Sequence, residues 1–133
     1  MSATIMIVDD EPAFRYATRL YFEDKGFTIT EAEDGVVALR MLDTEPLPDL
    51  IILDINMPRI SGLDVQRYLE SRKDTQFIPV VFLTARGDAE TETLAWLAGC
   101  DWYHVKSKPI QYDDLLLAIQ RILISKEEPD AAA

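Results

Sequence analysis

The residues best suited to chemistry stand at the ends of apolar runs. Asp9 and Asp10 follow Ile5-Met6-Ile7-Val8, and Asp54 follows Leu50-Ile51-Ile52-Leu53. Thr84 follows Val80-Val81-Phe82-Leu83, and Lys106 follows Trp102-Tyr103-His104-Val105, with Lys108 close behind. Brought together, these groups would make a pocket of three carboxylates, one hydroxyl and one ammonium. Three anions side by side repel, so such a pocket either retains protons or takes a cation. An all-oxygen ligand set suits a hard cation such as Mg2+, which keeps several waters and favours phosphate-bearing substrates. A lysine and a threonine beside it supply the charge and the hydrogen-bond donor that phosphoryl oxygens need. Asp54 is then placed as a carboxylate nucleophile able to form an aspartyl phosphate. Singly, each group has a plainer reading: Asp10 or Thr84 as a helix cap, the lysine as a solvated charge. Only their coincidence at four strand ends argues for chemistry.

That convergence requires a particular set of elements. Ile5–Val8 reads as a buried strand, and Pro12 stands where a missing N–H costs nothing, at the first turn of a helix ended by Gly26. Phe14, Ala17, Leu20 and Tyr21 recur along it at helical spacing. Phe27–Thr30 alternates like a strand near an edge, and Gly35 introduces a helix carrying Val36, Leu39 and Leu42. After a proline-bearing loop, Leu50–Leu53 is apolar throughout, as suits a central strand covered on both faces. Ser61-Gly62-Leu63-Asp64 reads as a capping box opening a third helix. Val80–Leu83 is a fourth strand, about Ala89 to Ala98 a helix closed by Gly99, and Trp102–Val105 a fifth strand. The last helix begins near Tyr112, with Leu115, Leu116, Ile119 and Ile122 on one face. Residues 1–124 then form one domain and residues 125–133 a polar tail. Such alternation predicts an α/β fold, a doubly wound parallel sheet with helices on both faces and right-handed crossovers. Ligands of such sheets sit beyond the carboxyl ends of the strands.

Composition narrows the rest. The chain has 133 residues, 48% of them hydrophobic, enough for one domain with a true core. Thirteen Lys and Arg against 24 Asp and Glu leave a formal charge of −11, which argues against nucleic acid and anionic membranes as direct partners. The single cysteine, Cys100, excludes a disulfide framework or a Cys-rich zinc site. With no long apolar run and no secretory-type leader, a cytoplasmic protein is expected.

In order and spacing, these segments resemble the receiver domain of bacterial two-component response regulators. The resemblance is carried by Ile5-Met6-Ile7-Val8-Asp9-Asp10-Glu11-Pro12, Asp34-Gly35, Pro48-Asp49 through Met57-Pro58 with Ser61-Gly62, Val80 through Ala85, Gly99-Cys100-Asp101 and Lys108-Pro109-Ile110. It implies a flavodoxin-like (βα)5 fold with strand order 2-1-3-4-5. By position, Asp54 is implied as phosphoacceptor, and Asp9 and Asp10 as the acidic pair that holds Mg2+, Asp10 directly and Asp9 through water. Asn56 is implied as a further metal ligand through its backbone carbonyl, Thr84 as the hydroxyl that bonds a phosphoryl oxygen, and Tyr103 as the switch aromatic. The lysine departs from the family pattern. Its proline follows Lys108, but its interval from Thr84 and Gly99 selects Lys106, which would make Ser107-Lys108 a two-residue insertion. Lys106 is therefore the expected phosphate partner, with Lys108 the alternative. His104, within the fifth strand, is read as structural.

Further implications follow from the resemblance. The protein would be a signalling switch that catalyses its own phosphorylation and dephosphorylation, without turning over an external substrate as an enzyme does. Its phosphoryl donor would be a sensor histidine kinase or phosphotransfer protein. Its target would be a downstream output domain or effector, or a second copy joined on phosphorylation through the face of the fourth helix, fifth strand and fifth helix. A degenerate receiver that binds partners without phosphorylation is the alternative. A haloacid-dehalogenase-type phosphatase is disfavoured because Asp54-Ile55-Asn56 lacks its second acid.

Overall fold

A computed structural model describes residues 3–44, 46–106 and 109–127. Five strands alternate with five helices: β1 Thr4–Val8, α1 Pro12–Asp24, β2 Thr28–Ala32, α2 Gly35–Leu42, β3 Leu50–Leu53, α3 Gly62–Glu70, β4 Val80–Thr84, α4 Ala89–Leu97, β5 Trp102–Val105 and α5 Tyr112–Glu127. The strands form one parallel sheet in the order β2-β1-β3-β4-β5, as expected. Among the described residues, no helix is long and apolar enough to cross a membrane.

Side chains alternate across a strand, so each central strand feeds two cores. Met6, Val8, Ile51, Leu53, Val80 and Phe82 pack with Ala38 and Leu42 of α2, Val65 and Leu69 of α3 and Ala95 of α4. Their sequence neighbours Ile5, Ile7, Leu50, Ile52, Val81 and Leu83 pack on the other face with Phe14 and Phe22 of α1 and Leu115 and Ile119 of α5. Every residue of β3 is buried, which is why it reads as unbroken apolar sequence.

The edges depart most from expectation. β2 begins one residue later than predicted and runs on through Glu31 and Ala32. Glu31 reads as a loop residue in isolation, but it receives Arg15 at 3.1 Å and Arg19 at 2.7 Å from α1. α5 continues to Glu127, three residues into the segment read as tail. At the other edge, Trp102 and Val105 of β5 are each 41% exposed, and Trp96 of α4 is 44% exposed. Both tryptophans thus lie partly at the surface rather than filling the core.

Helix starts follow local chemistry. The Ser61–Asp64 capping box forms with both of its reciprocal bonds. Asp34 caps α2 through the Val37 N–H, and Asp88 caps α4 through the Thr91 N–H. Neither Asp10 nor Thr84 is a cap: α1 starts from Glu11 without a side-chain cap bond, with Pro12 in its first turn.

Candidate functional site

The parallel register brings the strand ends level. Val8 pairs with Leu53, and the Asp54 N–H donates to the Val8 carbonyl at 3.0 Å, so Asp9 and Asp54 emerge side by side. Thr84 pairs with Val105, and the Lys106 N–H continues that ladder to the Thr84 carbonyl at 2.7 Å. Lys106 therefore turns off the sheet beside Thr84, next to the acids.

Carboxylate oxygens of Asp9, Asp10 and Asp54 all lie within 4.8 Å of one another. Asp9 and Asp54 are buried and Asp10 is exposed. Lys106 Nζ stands 2.8 Å from Asp9 Oδ2 and 3.7 Å from Asp54 Oδ2, and donates to Glu11 Oε1 at 3.0 Å. The same ammonium lies 4.3 Å from the centre of the Phe14 ring, on its face. Its charge is thus met on several sides.

These groups perturb one another. Burial pushes the Asp54 carboxyl up, against the Lys106 charge, the Thr84 hydroxyl and the Ile55 backbone. Burial likewise raises Asp9, overcoming the nearby Lys106 ammonium and the bond from the Glu11 N–H. Burial alone would lower Lys106, but its close pairing with Asp9, its bond to Glu11 and the charge of Asp54 outweigh that and raise it. One buried oxygen, Asp9 Oδ2, has the ammonium within ion-pair range yet receives no well-directed hydrogen bond. A buried carboxylate oxygen short of a donor, in a cluster of three acids, fits a hard oxygen-loving cation.

Two further features close the site. A Cβ on Gly62 would lie 2.1 Å from the Asp54 carbonyl oxygen, so only glycine lets α3 begin so close behind the acid. The Gly62 N–H donates to the Ile55 carbonyl at 2.8 Å and closes the β3–α3 loop. Asn56 lies exposed in that loop, and its Oδ1 accepts from Arg86 at 3.3 Å.

Thr84 is fully buried, and its hydroxyl accepts from the Arg86 N–H at 3.2 Å. Tyr103 is buried to 9% exposure, and its hydroxyl donates to the Arg86 carbonyl. The Arg86 side chain bonds Thr91 at 2.8 Å and Asp88 at 3.0 Å, across the start of α4. Sequence reasoning singled out neither Arg86 nor Glu11, because an arginine in a loop and a glutamate after two aspartates look like ordinary surface charge. Lys108, the alternative lysine, lies outside the described residues. His104 is partly buried on β5.

Comparison with known proteins agrees with this geometry. The family model for the response regulator receiver domain matches residues 5–120. Response regulator MprA of Mycobacterium ulcerans is 41% identical over 135 residues, covering 100% of this chain and 56% of the relative. The chain thus spans about half the length of the curated relatives it matches. The signal receiver domain of a signal transduction histidine kinase from Syntrophus aciditrophicus superposes with a TM-score of 0.87 at 28% identity, over 98% of this chain and 96% of that one. Response regulator protein TrrA from Thermotoga maritima, crystallised in complex with Mg2+-BeF, has a TM-score of 0.79 at 34% identity, over 92% of this chain and 99% of its own. With the family model covering most of its length and the strand order matching, the chain belongs to the response regulator receiver domains of two-component systems.

Proposed function

We propose that this receiver domain is a phosphorylation-dependent switch in which Asp54 accepts a phosphoryl group. The observation that carries this reading is the cluster of Asp9, Asp10 and Asp54 with Lys106 3.7 Å from Asp54 Oδ2. The Mg2+-BeF complex of the similar TrrA supports the same use of the site.

Asp9, Asp10 and Asp54 would hold Mg2+, with the backbone carbonyl of Asn56 as a further ligand. Bound there, the ion supplies charge neutralisation to the phosphoryl oxygens. One Asp54 oxygen attacks phosphorus in line, forming the O–P bond as the donor's N–P bond breaks. The electron pair leaves on the imidazole nitrogen of a phosphohistidine, which takes up a proton. Lys106 leaves its resting partners Asp9 and Glu11 to meet an equatorial oxygen, and Thr84 gives up the Arg86 N–H to bond another. Water later hydrolyses the acyl phosphate, releasing orthophosphate and restoring the carboxylate. The donor is a sensor histidine kinase or phosphotransfer protein, and the reaction takes place in the cytoplasm.

The modification adds roughly two negative charges. Moving Thr84 disturbs the Arg86 backbone, which also holds the Tyr103 hydroxyl, so the signal passes to α4 and β5. Trp96, Leu97, Trp102, Val105 and Leu117 are exposed on α4, β5 and α5. Such a surface suits an output domain, an effector or a second phosphorylated copy. The position of Lys106 favours this switch over a phosphorylation-independent binding module.

Incubation with acetyl phosphate and Mg2+, followed by intact mass, tests the reading. One added phosphoryl group is expected, absent with chelator and absent in Asp54→Asn. An unmodified parent would refute it.

A further inference from the structure

The loop after β3 is clamped by a pair that the switch mechanism does not use. Arg59 has φ +69, a left-handed conformation that is costly for any residue with a side chain. Its guanidinium bonds Asp34 Oδ2. Asp34 is only 6% exposed, and its other oxygen accepts from the Val37 N–H at 2.9 Å to cap α2. The loops also touch beside this pair, where a Cβ on Gly35 would meet the side chain and carbonyl of Ile60 at 3.0–3.1 Å. Within the β3–α3 loop, the Ile60 N–H donates to the Pro58 carbonyl at 2.8 Å. The loop's ends are thus held by Asp54 and Gly62, and its strained middle by Asp34.

We propose that Arg59 is a positioning residue whose ion pair with Asp34 keeps the β3–α3 loop in the conformation that presents Asn56 to the cation. This assignment rests on the metal site proposed above. Arg59 touches neither Asp54 nor the acidic pair in any contact described, so its effect is transmitted through the loop backbone. Without the pair, the left-handed residue relaxes, and the fraction of chains with a competent loop falls.

Simple electrostatics predicts the opposite sign. Removing a cation near an acidic cluster should tighten Mg2+ binding. Loop positioning predicts that Arg59→Ala weakens it, by about fivefold if the competent fraction falls by that factor. Arg59→Gly loses the same charge but adopts positive φ without strain, so it should recover to within about twofold of the parent. Asp34→Asn keeps a capping side chain and should weaken Mg2+ as Arg59→Ala does.

The experiment pairs calorimetric Mg2+ titration of the parent and these three variants with amide hydrogen exchange in metal-free buffer. Faster exchange at Ile60 and Gly62 is expected in Arg59→Ala. Equal or tighter Mg2+ binding by Arg59→Ala, or Arg59→Gly binding no better than it, overturns the assignment. Unchanged metal-free exchange in Arg59→Ala overturns the positioning role alone. A parent that does not bind Mg2+ overturns the proposed function and this assignment with it.

Discussion

Removing the Asp54 charge should stabilise the metal-free protein. Burial is the largest influence on the Asp54 carboxyl, and it raises the pKa. Its acid neighbours lie within 4.8 Å, where two unit charges at a protein-like dielectric repel by roughly 3–4 kcal/mol. Lys106 at 3.7 Å cancels part of this, but it stands closer to Asp9, at 2.8 Å. Asp54→Asn, nearly isosteric, should therefore gain about 1–2 kcal/mol without metal. For a domain of this size, that is about 3–8 °C in Tm. Asp9→Asn should gain less, because it takes away the nearest partner of Lys106. Folded-state pKa values above the unfolded value make ionised Asp9 and Asp54 a cost at neutral pH. That cost shrinks as pH falls towards those raised values. Stability is lost only lower, below about pH 4, where Asp34, Asp43 and Asp88, whose carboxyls are held below the usual range by hydrogen bonds, take up protons. Mg2+ narrows or cancels the difference, since at ten times its Kd the parent gains about 1.4 kcal/mol that Asp54→Asn does not fully share. Urea denaturation with chelator and with Mg2+, at pH 5 and 7.5, measures all four conditions. An Asp54→Asn protein less stable than the parent in chelator at pH 7.5 would refute the reasoning.

Other perturbations separate the remaining parts. Gly62→Ala drives a Cβ into the Asp54 carbonyl and should cost at least about 3 kcal/mol, seen as a lower urea midpoint. Tyr103→Phe removes the donor to the Arg86 carbonyl and should cost about 1 kcal/mol in the same assay. Lys106→Ala strips Asp9 of its counter-charge and should abolish the phosphorylation-dependent change in Trp96 and Trp102 fluorescence. Lys108→Ala should leave that change intact, and equal effects of the two would defeat the choice of Lys106.

What could be read from the chain follows from which forces are local. β1, β3 and β4 were legible because burial on both faces writes an unbroken apolar run. The acids, Thr84 and Lys106 were legible because a parallel sheet places strand ends together, whatever lies between them. The Ser61–Asp64 box was legible because both of its bonds lie within four residues. Glu31 was not, since its strand position is supported by Arg15 and Arg19 on another element. Arg86 was not, since its role is made by contacts with Asn56, Thr91 and Tyr103. Gly62 reads as part of a cap and of the receiver-like Ser61-Gly62 pair, but its close approach to Asp54 exists only once α3 docks behind β3. The Arg59–Asp34 pair joins residues 25 positions apart, with no periodicity to announce it.

The site of modification is the most direct test. Borohydride reduces an aspartyl phosphate to homoserine, which peptide mass mapping locates to a single residue. After acetyl phosphate and Mg2+, homoserine is predicted at position 54 and nowhere else. Homoserine at position 9 or 10, or none in a protein that has gained phosphoryl mass, would contradict a reactive Asp54 served by Lys106 and the N-terminal acids.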